Sequence, residues 1–471
     1  MLGGMTEDIT EGTRMFKRSA MAGLAMMMTL VAAPVAKAET LADALVAAYT
    51  NSGLLDQNRA LLRAADEGVA QSVAATLPVI NWSISTSRSF NSAATPPMSR
   101  TTNSTTARVA GSLAIYDGGA NRLAIEGQKE LVLSTRQSLR SVEQDVLLRA
   151  VQAYMNVRRE REFVQLRQNN LSLITQELQA ARDRFEVGEV TRTDVSLAEA
   201  RLAGSQSLLA AAQGSLTTAI EEYRAAVGVA PSGPGAASPA PVSQSLDEAK
   251  AFAVRNHPSV LEAQHSVAAA ELNIQRGEAA LKPNLSLETS VGVNQDFDES
   301  AQIGLTFGGP IYRGGAISSQ IRQLQANRDA SRAGLHLTRI GVEQQVGNAY
   351  SALQVARASA SASDQQISAA RIAFEGVREE ATLGSRTTLD VLNAEQELLD
   401  AQANRIAAEV DEVIASYAVL AAMGLLTADH LRLPVQQYDV NAYYNLVQGA
   451  PTARSAQGQA LDRVLEALGR E

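Results

Sequence analysis

Side chains able to make or break bonds are sparse in this 471-residue chain, and their spacing does not suit catalysis. Cys is absent, which removes thiolate nucleophiles, thiolate metal sites, disulfides and any lipid-anchoring Cys at an export cleavage point. His257, His265, His336 and His430 form no H-x-x-x-H pair that would set two imidazoles on one helix face, so no metal is expected. No G-x-G-x-x-G, phosphate loop or nucleophile elbow stands between a strand and a helix, and neither an enzyme nor a cofactor is expected. The polar pattern that does recur is Thr-x-x-Asp, at Thr191 to Asp194 and again at Thr387 to Asp390. This is capping-box spacing, in which the hydroxyl and the carboxylate satisfy the first free N–H groups of a helix. The carboxylate also faces the positive end of the helix dipole. Arg386 precedes the second box, where a cation is mildly unfavourable, so its guanidinium is left for another partner.

Each box follows a glycine turn, at Gly188 and Gly384, and the turns belong to a duplication. The blocks GEVTRTDVSLAEARLAGSQ (188–206) and GSRTTLDVLNAEQELLDAQ (384–402) match at Asp194/Asp390, Glu199/Glu395 and Gln206/Gln402, with a constant offset of 196. The offset also relates two copies of an IY-x-GG signature, which contain Tyr116, Gly118 and Gly119, then Tyr312, Gly314 and Gly315. Nearer the N-terminus Leu41, Asn51 and Pro78 match Leu246, Asn256 and Pro283 with an offset of 205. The lost residues fall where the first copy carries the polar insertion NSAATPPMSRTTN (91–103), the kind of length change exposed loops tolerate. The organisation read from this is a first repeat over 39–228, a Pro/Gly/Ser/Ala-rich linker over 229–245, a second repeat over 246–427 and a tail over 428–471. Within the tail, YDVNAYYNLVQ (438–448) suits packing on the helices, and 452–471 is expected to be mobile.

Within a repeat the hydrophobic period changes. Ile80, Trp82, Ile84 and Phe90 alternate with small polar residues; Val109, Gly111, Leu113 and Ile115 share a face; Leu285, Leu287, Val291 and Val293 do so in the second copy, followed by Ile303, Leu305 and Phe307. Period two with one apolar and one polar face predicts strands between two environments, at about 80–91, 104–116, 284–295 and 301–312. Elsewhere the spacing is helical. Val164, Leu171, Ile174, Leu178, Ala181 and Phe185 make one seam, and Leu399, Ala403, Ile406, Val410, Val413, Tyr417 and Leu420 another. The stretch from Gly119 to about Val187 has no Pro, and as one helix it would run on the order of 100 Å at 1.5 Å per residue. The turns at 187–191 and 383–387 therefore lie far from the strands.

The ends and the charge narrow the compartment. Lys17 and Arg18, the apolar run 19–33 and Ala36-Lys37-Ala38 read as a signal peptide over 1–38, with a mature start near Glu39. No later apolar run approaches the roughly 18 residues of a spanning helix. A net charge of −9 argues against a nucleic-acid partner. Four amphipathic strands cannot close a barrel, and lipid does not tolerate an open sheet edge. The chain must then associate; two, three or four copies would serve, and three give twelve strands with room for a lumen.

The signal peptide, the duplicated helix–hairpin–helix unit, the IY-x-GG strand exits and above all LGSRTTLDVLNAEQELLDAQ (383–402) resemble the TolC family of outer-membrane efflux and type I secretion channels, over about residues 40–430. The resemblance implies a mixed α+β membrane protein. In it a homotrimer builds a twelve-stranded barrel in the outer-membrane lipid of a Gram-negative bacterium, continued by a periplasmic α-helical tunnel. It implies a periplasmic adaptor and an inner-membrane ABC or RND-type transporter as partners. It places Arg386 on the family's gating arginine, Asp390 on its constriction-ring aspartate, and Thr193 and Asp194 as the arginine's partners on a neighbouring coil. Val187, Gly188, Glu189, Leu383, Gly384 and Ser385 become the tips that dock the adaptor. Two departures are visible: Asn393 stands where a second acidic ring can occur, and Ala381-Thr382 replace an aromatic before the tip glycine. A single carboxylate ring would bind multivalent cations more weakly. The competing reading is a soluble periplasmic coiled-coil adaptor or scaffold, which needs no barrel.

Overall fold

A computed structural model describes residues 39–90 and 101–468. The signal-peptide segment and most of the first hairpin's polar loop fall outside the described residues.

Each repeat starts with two helices set by their caps. In the first, α1 (Leu41–Asn51) is capped by a Thr40/Asp43 capping box and α2 (Gly53–Ala74) by Ser52. In the second, a Ser245/Glu248 box caps α5 (Leu246–Asn256), and Pro258 opens α6 (Pro258–Ala279), where its missing N–H costs nothing. The hairpins follow: β1 (Val79–Phe90) with β2 (Thr101–Tyr116), and β3 (Asn284–Asn294) with β4 (Glu299–Gly308). The four strands form one antiparallel sheet in chain order. Its register aligns Trp82, Val109, Val291 and Ala301 on one face, and Ser83, Arg108, Gly292 and Ser300 on the other. One apolar and one polar face therefore run across the whole sheet.

The strands differ from expectation at two ends. β2 begins at Thr101, inside the stretch expected to be loop. β4 stops at Gly308, short of Ile311 and Tyr312, so the second IY-x-GG lies beyond the strand rather than closing it. Gly309 and Pro310 explain this: Pro310 has no N–H for the ladder, and Gly309 sits so close to Pro283 that a Cβ would meet its Cα at 3.0 Å.

Two 67-residue helices, α3 (Ala120–Glu186) and α7 (Ala316–Thr382), leave the sheet. They return as α4 (Arg192–Val227) and α8 (Thr388–Ala422), packed in pairs. The expected seams are buried at Ile174, Leu178 and Ala181, and at Leu399, Val410, Val413 and Leu420. Repeat symmetry extends to single hydrogen bonds. Tyr154 donates to Glu39 O at 2.7 Å, and its counterpart Tyr350 donates to Gln244 O at 2.9 Å, each hydroxyl fixing the chain just ahead of its repeat's first helix.

The tail wraps the first repeat. Arg136 of α3 donates to Asn441 Oδ1 at 2.9 Å and Val440 O at 3.1 Å, and Tyr443 donates to Glu67 Oε1 at 2.7 Å. Tyr443 and Val447 of α9 (Ala442–Val447) pack with Ala70 and with Leu461 of α10 (Ala456–Leu468). The segment expected to be a mobile end thus contains a helix, because Leu461 has an apolar surface to cover.

Candidate functional site at the helical tips

The tip turns repeat the same backbone chemistry twice. At the end of α3, Glu189 N–H bonds to Arg184 O at 2.9 Å around Gly188, whose φ is 82°. At the end of α7, Ser385 N–H bonds to Glu380 O at 3.0 Å around Gly384, with φ 78°. Both are helix stops that need a left-handed residue, which glycine adopts freely. Each turn then enters its capping box. Asp194 Oδ2 accepts from Thr191 Oγ1 at 2.7 Å and Thr191 N at 2.9 Å, and Asp390 Oδ2 from Thr387 Oγ1 at 2.8 Å and Thr387 N at 3.0 Å. Thr191 donors hold the Asp194 carboxyl below the usual carboxylate range, and the Thr387 N–H and hydroxyl do the same for Asp390. Both remain charged well below neutral pH.

Arg386 pairs with Glu380 of its own tip, Nε to Oε2 at 2.8 Å. Within one protomer it meets neither Thr193, which is exposed, nor Asp194, whose Oδ2 is engaged in its cap. Asn393 accepts from Arg201 of α4 at 3.2 Å, which turns it toward the neighbouring pair of helices. Val187, Gly188, Glu189, Leu383, Gly384 and Ser385 are exposed, with Val187 and Leu383 presenting bare apolar side chains at the extreme end.

Sequence reasoning missed a polar cluster just behind the tip. Glu395 is 4% exposed, and its Oε1 accepts from Asn170 Nδ2 at 2.6 Å. Asn170 Oδ1 in turn accepts from Ser205 Oγ at 3.3 Å. One signal was available: Glu395 lies four residues before Leu399, on the backward extension of the apolar seam.

At the other end of the rods, the transition residues separate into two environments. Asp117 accepts from Gly119 N at 2.9 Å and Asn121 N at 2.6 Å, capping α3. Gly118 has φ 70° and no room for a side chain, since a Cβ would lie 2.8 Å from Lys282 Cβ. Gly314 and Gly315 also have positive φ, at 59° and 82°, but stand in open space. Tyr116 ends β2, whereas Tyr312 is exposed beyond β4. On the sheet, Trp82 is 77% exposed in the single chain, and Ile84, Ile303, Leu305 and Phe307 line the same bare apolar face. The opposite face carries Ser, Thr and Gly, with Arg108 donating to Ser290 Oγ at 2.6 Å.

A sheet with two open edges, one lipid-suited face and one wet face, hung on rods about 100 Å long, defines a class: a β-barrel channel protein with a helical extension, completed by other copies of itself. The chain belongs to the outer membrane efflux protein family, whose profile matches residues 44–229 and 252–425. It is 38% identical over 428 residues to the outer membrane efflux protein BepC of Brucella suis, covering 89% of this chain and 93% of that one. It is 26% identical to the outer membrane protein TolC of Escherichia coli, over 61% of this chain and 63% of that one. Among solved structures, the CmeC outer membrane channel of Campylobacter jejuni superposes with a TM-score of 0.74 at 15% identity, covering 88% of this chain and 90% of CmeC. The protein is accordingly an outer-membrane channel whose chain supplies four strands of a trimeric, twelve-stranded barrel and its helical tunnel. A soluble adaptor is not what this fold describes.

Proposed function

We propose that the trimer is the exit duct of a tripartite export machine, receiving cargo from an inner-membrane ABC or RND-type transporter through a periplasmic adaptor. Cargo passes without a covalent step. The far ends of the rods, at Val187 to Glu189 and Leu383 to Ser385, form the adaptor-docking surface. Asp390 forms the constriction ring, and Arg386 gates it by exchanging Glu380 for Thr193 and Asp194 of a neighbouring coil. The observation that carries this reading is the placement of Asp390 in the first turn of α8, just behind the tip turn and at the end of the rods away from the sheet, with its carboxylate kept ionised by Thr387. Three such charges about one axis favour cations and bind them. In planar bilayers, Asp390→Ala should weaken cation selectivity and relieve block by multivalent cations; unchanged selectivity and block would remove Asp390 from the constriction. Engineered Cys near Gly188 and Gly384, in a chain without native Cys, should crosslink to the adaptor.

A further inference from the structure

Glu395 lies about one and a half turns past Asp390 along α8, at the meeting of α3, α4 and α8. Its Oε1 is satisfied by Asn170, but Oε2 is buried and has no hydrogen-bond partner among the described residues. The charged groups facing it are Glu177 of α3, Arg201 of α4 and Arg378 of α7. Both cations have other partners: Arg378 meets Glu177 at 3.5 Å, and Arg201 donates to Asn393 at 3.2 Å.

The duplication sharpens this. In the first repeat Glu199 is half-exposed and pairs with Arg182 at 2.6 Å. The same offset of 196 carries Arg182 to Arg378 and Glu199 to Glu395, yet Arg378 has turned away to Glu177. A surface ion pair in one copy has become a buried, half-satisfied carboxyl in the other. Burial, and then the Glu177 charge, push that carboxyl up to about 7, against the pull of its bond from Asn170.

We propose that Glu395 is a positioning residue for the tip, whose protonated form docks α8 against α3 and α4 and whose ionised form loosens that docking. This rests on the reading of the tip as the gate, because Arg386 and Asp390 are carried by the end of α8 that Glu395 secures. The sign follows from the direction of the shift. An acid raised by its packed surroundings favours those surroundings while protonated, and that preference is lost as pH rises through neutrality. Any arrangement that lets water reach Glu395 then gains. Asp390 does not compete for this pH window, since Thr387 holds its carboxyl below the usual range.

The test uses the full-length trimer with spin labels at Glu189→Cys and Ser385→Cys, measuring tip distances from about pH 5.5 to about pH 8.5. The wild-type distances should shift with a midpoint near neutrality, and Glu395→Gln should hold the acid-side distances throughout. Glu177→Gln should move the midpoint to lower pH by removing the neighbouring negative charge. Distances that ignore pH in the wild type, or that titrate unchanged in Glu395→Gln, overturn the proposal. Should Glu395→Gln fail to assemble, the midpoint in Glu177→Gln decides, and an unmoved midpoint overturns it. Conductance in bilayers separates the two readings: a protein that forms no channel at any pH removes the duct, while the label distances still report on Glu395.

Discussion

At the scale of single residues, Asp390 caps α8 and, on the proposed reading, also carries the charge of the constriction ring, and substitutions can separate the two. Asp390→Ala removes the ring charge and the cap together, whereas Asp390→Asn keeps an acceptor oxygen for Thr387. Both variants should lose cation selectivity, but only Asp390→Ala should also lower thermal stability measurably, read by heat dissociation of the trimer. Because the Asp390 carboxyl is held low, its cap is fully present above the usual carboxylate range and fades only as pH falls below it. Cation block should therefore persist in mild acid, which bilayer recordings across pH can check. The boxes were legible in the sequence because a cap is a local device, written within four residues. Glu395 was not, because its partner Asn170, and the Ser205 that bonds Asn170 in turn, come from distant segments that only the packed rods bring together. Its identity with Glu199 in the repeat alignment actively concealed the difference in environment.

At the scale of elements, the two strand-to-helix transitions share a signature but differ in tolerance. Gly315→Ala meets nothing within 4 Å and carries only the left-handed backbone cost, about 1–2 kcal/mol. Gly118→Ala adds a clash with Lys282 Cβ at 2.8 Å and Ala279 O at 3.1 Å, so it should be clearly the more destabilising in denaturant melts. The sequence showed the repeated signature. It did not show that Gly309-Pro310 ends β4 early, since the alternation of apolar residues runs on to the signature itself. The tail offers a second test. Asp66 of α2 is 1% exposed beneath it, without a hydrogen-bond partner for either oxygen among the described residues, and burial pushes its carboxyl up to about 6 despite Arg136 nearby. A raised acid disfavours the packed state once ionised, so that cost grows as pH climbs to about 6 and is full above it. Asp66→Asn should raise the melting temperature at alkaline pH more than at mildly acidic pH; an equal gain at both would show that its ionisation is irrelevant.

At the scale of the whole molecule, the sheet's two faces predict opposite responses to the same substitution. Ile303→Lys or Leu305→Lys places a charge against lipid and should cost about 2–4 kcal/mol near the midplane, visible as lost outer-membrane trimer. Gln302→Lys or Thr306→Lys, one residue away on the wet face, should assemble normally and alter conductance only. One further consequence follows from the equal lengths of α3 and α7, 67 residues each. On the proposed reading, in which a stiff rod anchored in the outer membrane meets an inner-membrane machine at its other end, the rod is a gauge of the gap between two membranes, and the cell envelope has to hold its spacing to suit that gauge. A coordinated insertion of whole turns into α3, α4, α7 and α8 would leave every seam intact and still strand the duct, unless the envelope widened to match.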